Sequence, residues 1–411
     1  MKKIVYALCF ALCITLFGCA DKTTFSKEPK IVMWLVGSET QAQSVNEIGE
    51  NFYDETGIRV ICEAVSWGEA HSKYLTAIAG GVAPDIGTMG LTWGTEFGNL
   101  GAMIDLNEAF AEDVAVIKEK TFPGVWRSVD YRGSIYGIPF DITEHIMYYR
   151  KDIIKEPPKT WKDLEALLKK LNKEGKSMLF DWGSLNWIGY SIYLWQAGGN
   201  YYDQSYSRCA LETEEASRGM EFFARLYREL GVPKTQIPIE QGMRTGDFPL
   251  AISGNWKIVG LTIAAPEIKD KWSIATLPVG PSGKGTAFVG GRAMGIFSGA
   301  KMKKEAWEFI KYLFEPKNQV ILYKKAWETQ DAYLPPNMSA WSFLPMDDKF
   351  REVLKAQAMD SKGPPPVIAW DASTRFVDEA IQKVILSGEK PKEALKKAVK
   401  SMNAELKKEN S

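Results

Sequence analysis

The chain has 411 residues, beyond the roughly 250–300 at which a single hydrophobic core stops growing, so two or more domains are expected. Hydrophobic residues make up 45% and charged residues 25%, a globular balance that excludes a disordered or fibrous chain. Lys plus Arg (51) equals Asp plus Glu (51), which argues against nucleic acid as a partner.

What the composition does show in excess is aromatic surface: 14 Trp, 16 Tyr and 19 Phe. That is more indole than a core requires, and some of it is expected to face a ligand. At the amino terminus, Lys2 and Lys3 precede an apolar run from Ile4 to Phe17, the length of a signal-peptide core and too short to span a bilayer. Leu16-Phe17-Gly18-Cys19 resembles the lipobox of bacterial lipoproteins, with Phe17 bulkier than that pattern usually has. Residues 1–18 are therefore read as a lipoprotein signal peptide, Cys19 as the lipidated residue and 19–29 as a polar tether. No later stretch approaches 18 apolar residues, so membrane contact is expected through the lipid alone. Cys9 and Cys13 leave with the signal. Cys62 and Cys209 remain and are read as buried, unpaired residues, and with His71 and His145 they lack the close spacing of a zinc site.

Along the mature chain, Ile31–Val36 is a continuous apolar run, as a buried parallel strand requires. A helix from Glu39 to about Tyr53, a strand over Ile58–Val65 and a helix from Ser66 to Ala79 follow, giving the strand–helix alternation of an α/β fold. Pro84–Ile86 opens a third strand and a helix carries Phe97 to Leu100. Residues 129–140 read as a hairpin turning at Arg132-Gly133. A second α/β block begins at Glu144–Tyr149. Thr160 then caps a helix over Trp161–Leu171, with leucines at 164, 167, 168 and 171. Further helices are predicted at 184–197, 214–230, 302–314, 374–387 and 391–407, with short strands and glycine turns over 272–300.

Enzyme signatures are missing. Gly280–Gly285 suggests a phosphate loop but has Gly where Ser or Thr must follow the Lys. Gly290–Gly295 fails the dinucleotide pattern because Arg292 stands in place of the second glycine. There is no nucleophile elbow and no zincin motif, and the spacing of Asp141 and Glu144 predicts no glycosidase pair. No catalytic residue, cofactor or metal is expected.

Several segments instead carry a resemblance in order and spacing: the opening strand with Trp34, Ala79–Ile86, Gly101–Leu106, Ile135–Pro139, Tyr148–Asp152, Pro158–Leu164, Gly246–Trp256, Leu277–Pro281 and Ala306–Leu313. From Lys30 onward the chain resembles the extracellular solute-binding proteins of ABC importers, the family that includes maltose-binding protein. The resemblance implies a two-lobed periplasmic-binding-protein-like fold (type II) of class α/β. Each lobe is a sheet flanked by helices, and a hinge of crossing segments lets them close over solute. By that pattern the crossings fall near 139–141, 274–278 and 333–335. The amino-terminal lobe is then 30–139 plus 278–333 and the carboxyl-terminal lobe 140–277 plus 334–411.

Carbohydrate offers apolar C–H faces and a rim of hydroxyls, so its site needs flat aromatic platforms and paired hydrogen-bonding side chains. Loops at strand carboxyl ends are where these converge. Trp256 leads, from Gly254-Asn255-Trp256 after a predicted strand. Trp93, Trp67 and Glu39 each follow a strand of the first lobe. The resemblance adds Gly290-Gly291, where backbone can approach a ligand, and Arg292 as a bidentate donor. It also adds Asp141 and Glu144 after the first crossing, for which hinge capping competes. Trp182, in an aromatic stretch with Trp187 and Trp195, and Trp370, on a loop after three prolines, complete the set. Trp161, Trp307 and Trp327 are expected in the core.

The expected function is capture of a carbohydrate, an oligosaccharide above all, by a monomer anchored on the outer face of a bacterial membrane, for delivery to the permease subunits of an ABC transporter. Two alternatives stay open: a binding protein for a polyamine or phosphorylated polyol, and an extracellular enzyme acting on glycans.

Overall fold

The computed structural model describes residues 30–409 apart from 184 and 332. The signal, Cys19 and the tether lie outside the described residues. Strands β1 (Lys30–Val36), β2 (Arg59–Val65) and β3 (Ile86–Gly90) alternate with helices Glu39–Thr56 and Trp67–Ala79. The first helix starts where it does because Ser38 and Gln41 form a reciprocal capping box, and it stops at Gly57, which takes φ 71°. Strands β4 (Asp130–Tyr131) and β5 (Ser134–Ile135) form the expected hairpin, and Arg132 and Gly133 adopt the positive φ that its tight turn demands.

The hairpin ends before the strand that follows. Where the sequence reading separates residues up to 140 from a new strand at 144, the structure has one 13-residue strand, β6 (Ile138–Arg150). Strands β7 (Met178–Phe180), β8 (Leu250–Gly254), β9 (Trp272–Ala275), β10 (Ala287–Ile296) and β11 (Ser361–Lys362) complete the set. The main sheet runs β2-β1-β3-β10-β6-β8-β7, with β9 on β6 and β11 on β10. Strand β6 pairs with β10 over its first half and with β8 and β9 over its second. Strand β10 pairs with β3 from Arg292 onward.

These two long strands thus join two halves. One is built on β1–β3 and packs helices such as Lys303–Phe314. The other is built on β7–β9 and packs helices Trp161–Lys173, Asn186–Gln196, Glu214–Arg228, Trp370–Ser387 and Pro391–Glu409. The helix at Thr160 is capped as predicted, with Asp163 completing the box and Leu164, Leu168 and Leu171 buried. Residues from 278, assigned by the sequence reading to the first lobe, lie against the second half. Val279 bridges Thr160, and the Ser282 N–H donates to the Gln196 carbonyl. The chain passes between halves inside β10. Helices Lys257–Ala264 and Asp348–Met359 were not predicted, and Trp370 opens a helix instead of lying on a loop. Cys62 and Cys209 are buried and free, as expected. Among the described residues no helix is long and apolar enough to cross a membrane.

Candidate functional site

Parallel strands β7 and β8 end side by side, so their carboxyl ends deliver Asp181-Trp182 and Asn255-Trp256 to one place. Between them lies a cavity of about 260 Å³, closed by the start of helix Asn186–Gln196 and by His145 of β6. The Trp256 indole folds back over Gly254, where any Cβ would collide with it, and meets His145 edge-on at 5.8 Å. Trp256 stays 37% exposed. Trp182, half-buried, leans on Tyr227 at 5.0 Å.

The polar lining is unsatisfied. His145 Nδ1 and Asn186 Nδ2 are buried without a hydrogen-bond partner, although Asn186 Oδ1 is held by the Gly183 N–H at 2.9 Å. Burial lowers the His145 pKa to about 4, so the ring is neutral and can both donate and accept. Burial also raises the Asp181 carboxyl, partly offset by Lys257 and a hydrogen bond from Ser253. His145 and Asn186 thus line the cavity while each keeps one buried polar atom without a protein partner.

The other half of the molecule presents a second aromatic group. Trp67 opens helix Trp67–Ala79 and Trp93 opens helix Trp93–Asn99, and they meet edge-on at 5.9 Å. His71 lies against Trp93 at 5.0 Å and bonds Glu96 at 2.7 Å. Asp371, carried by the opposite half, stands within electrostatic reach of His71, Glu96 and Trp93. Glu39 is exposed in the first turn of its helix, beside Ser38 and Thr40, whose hydroxyls bond Asp331.

Six of the named residues are buried or engaged by protein, and Asp141 takes the hinge role that competed for it. Arg292 does not wait for a solute. Its Nε and Nη2 donate to Asp141 Oδ2 at 3.1 and 2.5 Å, its backbone N–H donates to Asp141 Oδ1 at 2.8 Å, and its Nη1 donates to the Val36 carbonyl and Gln41. Both side chains of the pair are 4% exposed, so Asp141 and Arg292 tie β6 and β10 to β1. Glu144 is fully buried and its carboxyl oxygens lack partners. Burial pushes its pKa well up, which favours the neutral acid. Its neighbour His145 faces the cavity instead, because successive side chains of a strand point to opposite faces. Trp370 is 1% exposed and packs edge-on against Trp187 and Tyr201. Gly290 and Gly291 do allow a close approach, but to protein. A Cβ on Gly291 would strike the Asp141 carbonyl, and one on Gly290 would press on Thr143 and Phe288.

Sequence reasoning missed His145, Asn186 and Asp181. The carboxyl end of β7 was the available signal, since Asp181 adjoins Trp182. A larger cavity of about 560 Å³ lies between Arg127 and Ser128 on one side and Trp195, Tyr201–Tyr206 and Pro364–Pro366 on the other. Part of its polar lining is engaged: Tyr202 bonds Ser373, Tyr201 bonds Ser191, and Asp203 accepts from Ser207.

Two α/β halves sharing strands β6 and β10, with strand ends aimed at the seam, define a two-lobed binding-protein fold. The sequence model described as bacterial extracellular solute-binding protein matches residues 47–352, and the chain belongs to that family. It is 25% identical to the maltooligosaccharide ABC transporter solute-binding lipoprotein of Streptococcus pneumoniae (strain ATCC BAA-255 / R6), over 82% of this chain and 81% of the relative. It is 23% identical to the galactooligosaccharide-binding protein of Bacillus subtilis (strain 168), over 100% of this chain and 98% of the relative. Among solved structures, the sugar-binding protein MalE from Xanthomonas citri superposes with a TM-score of 0.83 at 23% identity, over 93% of this chain and 98% of that one.

Proposed function

We propose that the chain captures a carbohydrate, an oligosaccharide in particular, at the seam between its two lobes. It then hands the sugar to the permease subunits of an ABC transporter, held at the outer membrane face by lipid on Cys19. The observation that carries the sugar reading is the 260 Å³ cavity, which two indoles line together with His145, Asn186 and Asp181. Indole faces stack on sugar C–H surfaces, while a neutral imidazole and an amide satisfy hydroxyls without demanding charge. The relatives named for maltooligosaccharide and galactooligosaccharide support the same class. Among the groups lining the smaller cavity there is no guanidinium for a phosphorylated polyol, and Arg292 is spent on Asp141. Closure of the lobes about β6 and β10 would bring Trp67 and Trp93 over a sugar resting on Trp182 and Trp256.

The test is a thermal-shift screen against a glycan panel that includes maltooligosaccharides and galactooligosaccharides, with polyamines and sugar phosphates as controls. A neutral oligosaccharide that prefers the native state raises Tm in a concentration-dependent way. A shift produced only by spermidine or by sugar phosphates would overturn the reading.

A further inference from the structure

His71 and Glu96 stand on neighbouring helices of the half built on β1–β3, and Asp371 is the second residue of helix Trp370–Ser387 in the other half. A ligating atom of each lies within 4.8 Å of the other two. The His71 ring is braced: Phe97 stacks on it at 5.8 Å and Trp93 meets it edge-on at 5.0 Å. Such outer contacts orient metal ligands.

The group is also short of positive charge. Two carboxylates face one imidazole, and the charged groups acting on His71 and Asp371 include no lysine or arginine. One imidazole nitrogen and two carboxylate oxygens with a fourth position open suit a small divalent transition cation.

We propose that His71, Glu96 and Asp371 bind a divalent transition cation of the zinc class across the seam between the two halves. Spacing along the chain hides the site, since the third donor comes from the far end of the sequence. Because the donors come from both halves, a bound ion ties them together. That it thereby favours the closed, sugar-bound state rests on the function proposed above.

The experiment is calorimetric titration of tag-free protein with zinc chloride, for the parent and for His71→Gln and Asp371→Asn. Competing ligands are few. The chain has only two histidines, the other being buried His145, and burial raises the thiols of Cys62 and Cys209 to about 12. The parent should bind one zinc ion, and each variant should bind it at least about tenfold more weakly while keeping the parent's Tm in EDTA. No saturable binding by the parent, or equal affinity in both variants, would overturn the proposal. Glycan binding is measured separately in EDTA. Zinc binding lost in the variants with no glycan bound leaves the metal site standing and removes the capture reading; glycan binding without zinc binding does the reverse.

Discussion

Trp256 is held by the end of β8 yet keeps over a third of its surface open, an arrangement that contributes little to stability and much to a ligand face. Truncating such an anchor costs at least ~2 kcal/mol of binding, or roughly thirtyfold in affinity. Trp256→Ala should therefore weaken binding of the best glycan by about that factor while leaving the apo Tm nearly unchanged. Trp307 is the control. It is 1% exposed, stacks on Phe110 at 4.7 Å and donates its indole N–H to Asp113. Trp307→Ala should cost ~3–5 kcal/mol of stability. Calorimetry of both variants checks the pair, and undiminished glycan affinity in Trp256→Ala would make that indole a packing residue. Glu144 carries a separate expectation. Its folded pKa lies above its ordinary value, so its contribution to stability is complete below that ordinary value and is lost as pH rises toward the folded one. Glu144→Gln removes this dependence. The variant's Tm should gain on the parent's as pH climbs from about 4 to 8, and parallel profiles would show that the carboxyl is not held neutral.

At the scale of the element, β10 does two jobs, and its glycines serve the strand itself. Gly291 takes φ 129° and lies so close to β6 that a Cβ would meet the Asp141 carbonyl, one residue before the register shift between Arg292 and Ala293. A side chain there is both strained and obstructed. Gly291→Ala should destabilise by roughly 1–3 kcal/mol, read by denaturant unfolding, and a neutral effect would show that β10 can relax away from β6. The Asp141–Arg292 pair spans the same junction. Removing one partner leaves a buried charge unanswered, so Asp141→Asn should lower stability by about 3–5 kcal/mol.

For the whole molecule, the two halves keep their cysteines apart, Cys62 on β2 and Cys209 in the core of the helical half. Both thiols should resist alkylation in the native protein and react fully once it is unfolded without reductant. Failure to react when unfolded would mean a bridge. The anchor is tested in cells. Cys19→Ser should move the protein out of the membrane fraction or block its processing, and unchanged detergent partitioning would remove the lipid from the proposed function.

Some of this was determined by the sequence alone. Strand–helix alternation in β1–β3, the caps at Ser38 and Thr160, the turn at Arg132-Gly133 and the burial of Trp161 and Trp307 are local matters of periodicity, capping and glycine geometry. Trp256 was singled out by its place after a predicted strand and Trp182 by the aromatic stretch around it, and the structure brings both to one cavity. What only the tertiary structure decided is which groups are already spent. Asp141 and Arg292 are 151 residues apart, and each has the chemistry of a solute ligand until the other is found. The choice of His145 over Glu144 for the cavity depended on the register of β6, which its partners β8 and β10 set. The burial of Trp370 depended on Trp187 and Tyr201 arriving from another helix and loop. Partnership across long loops is a property of packing, and a linear chain does not record which polar groups it leaves unmet.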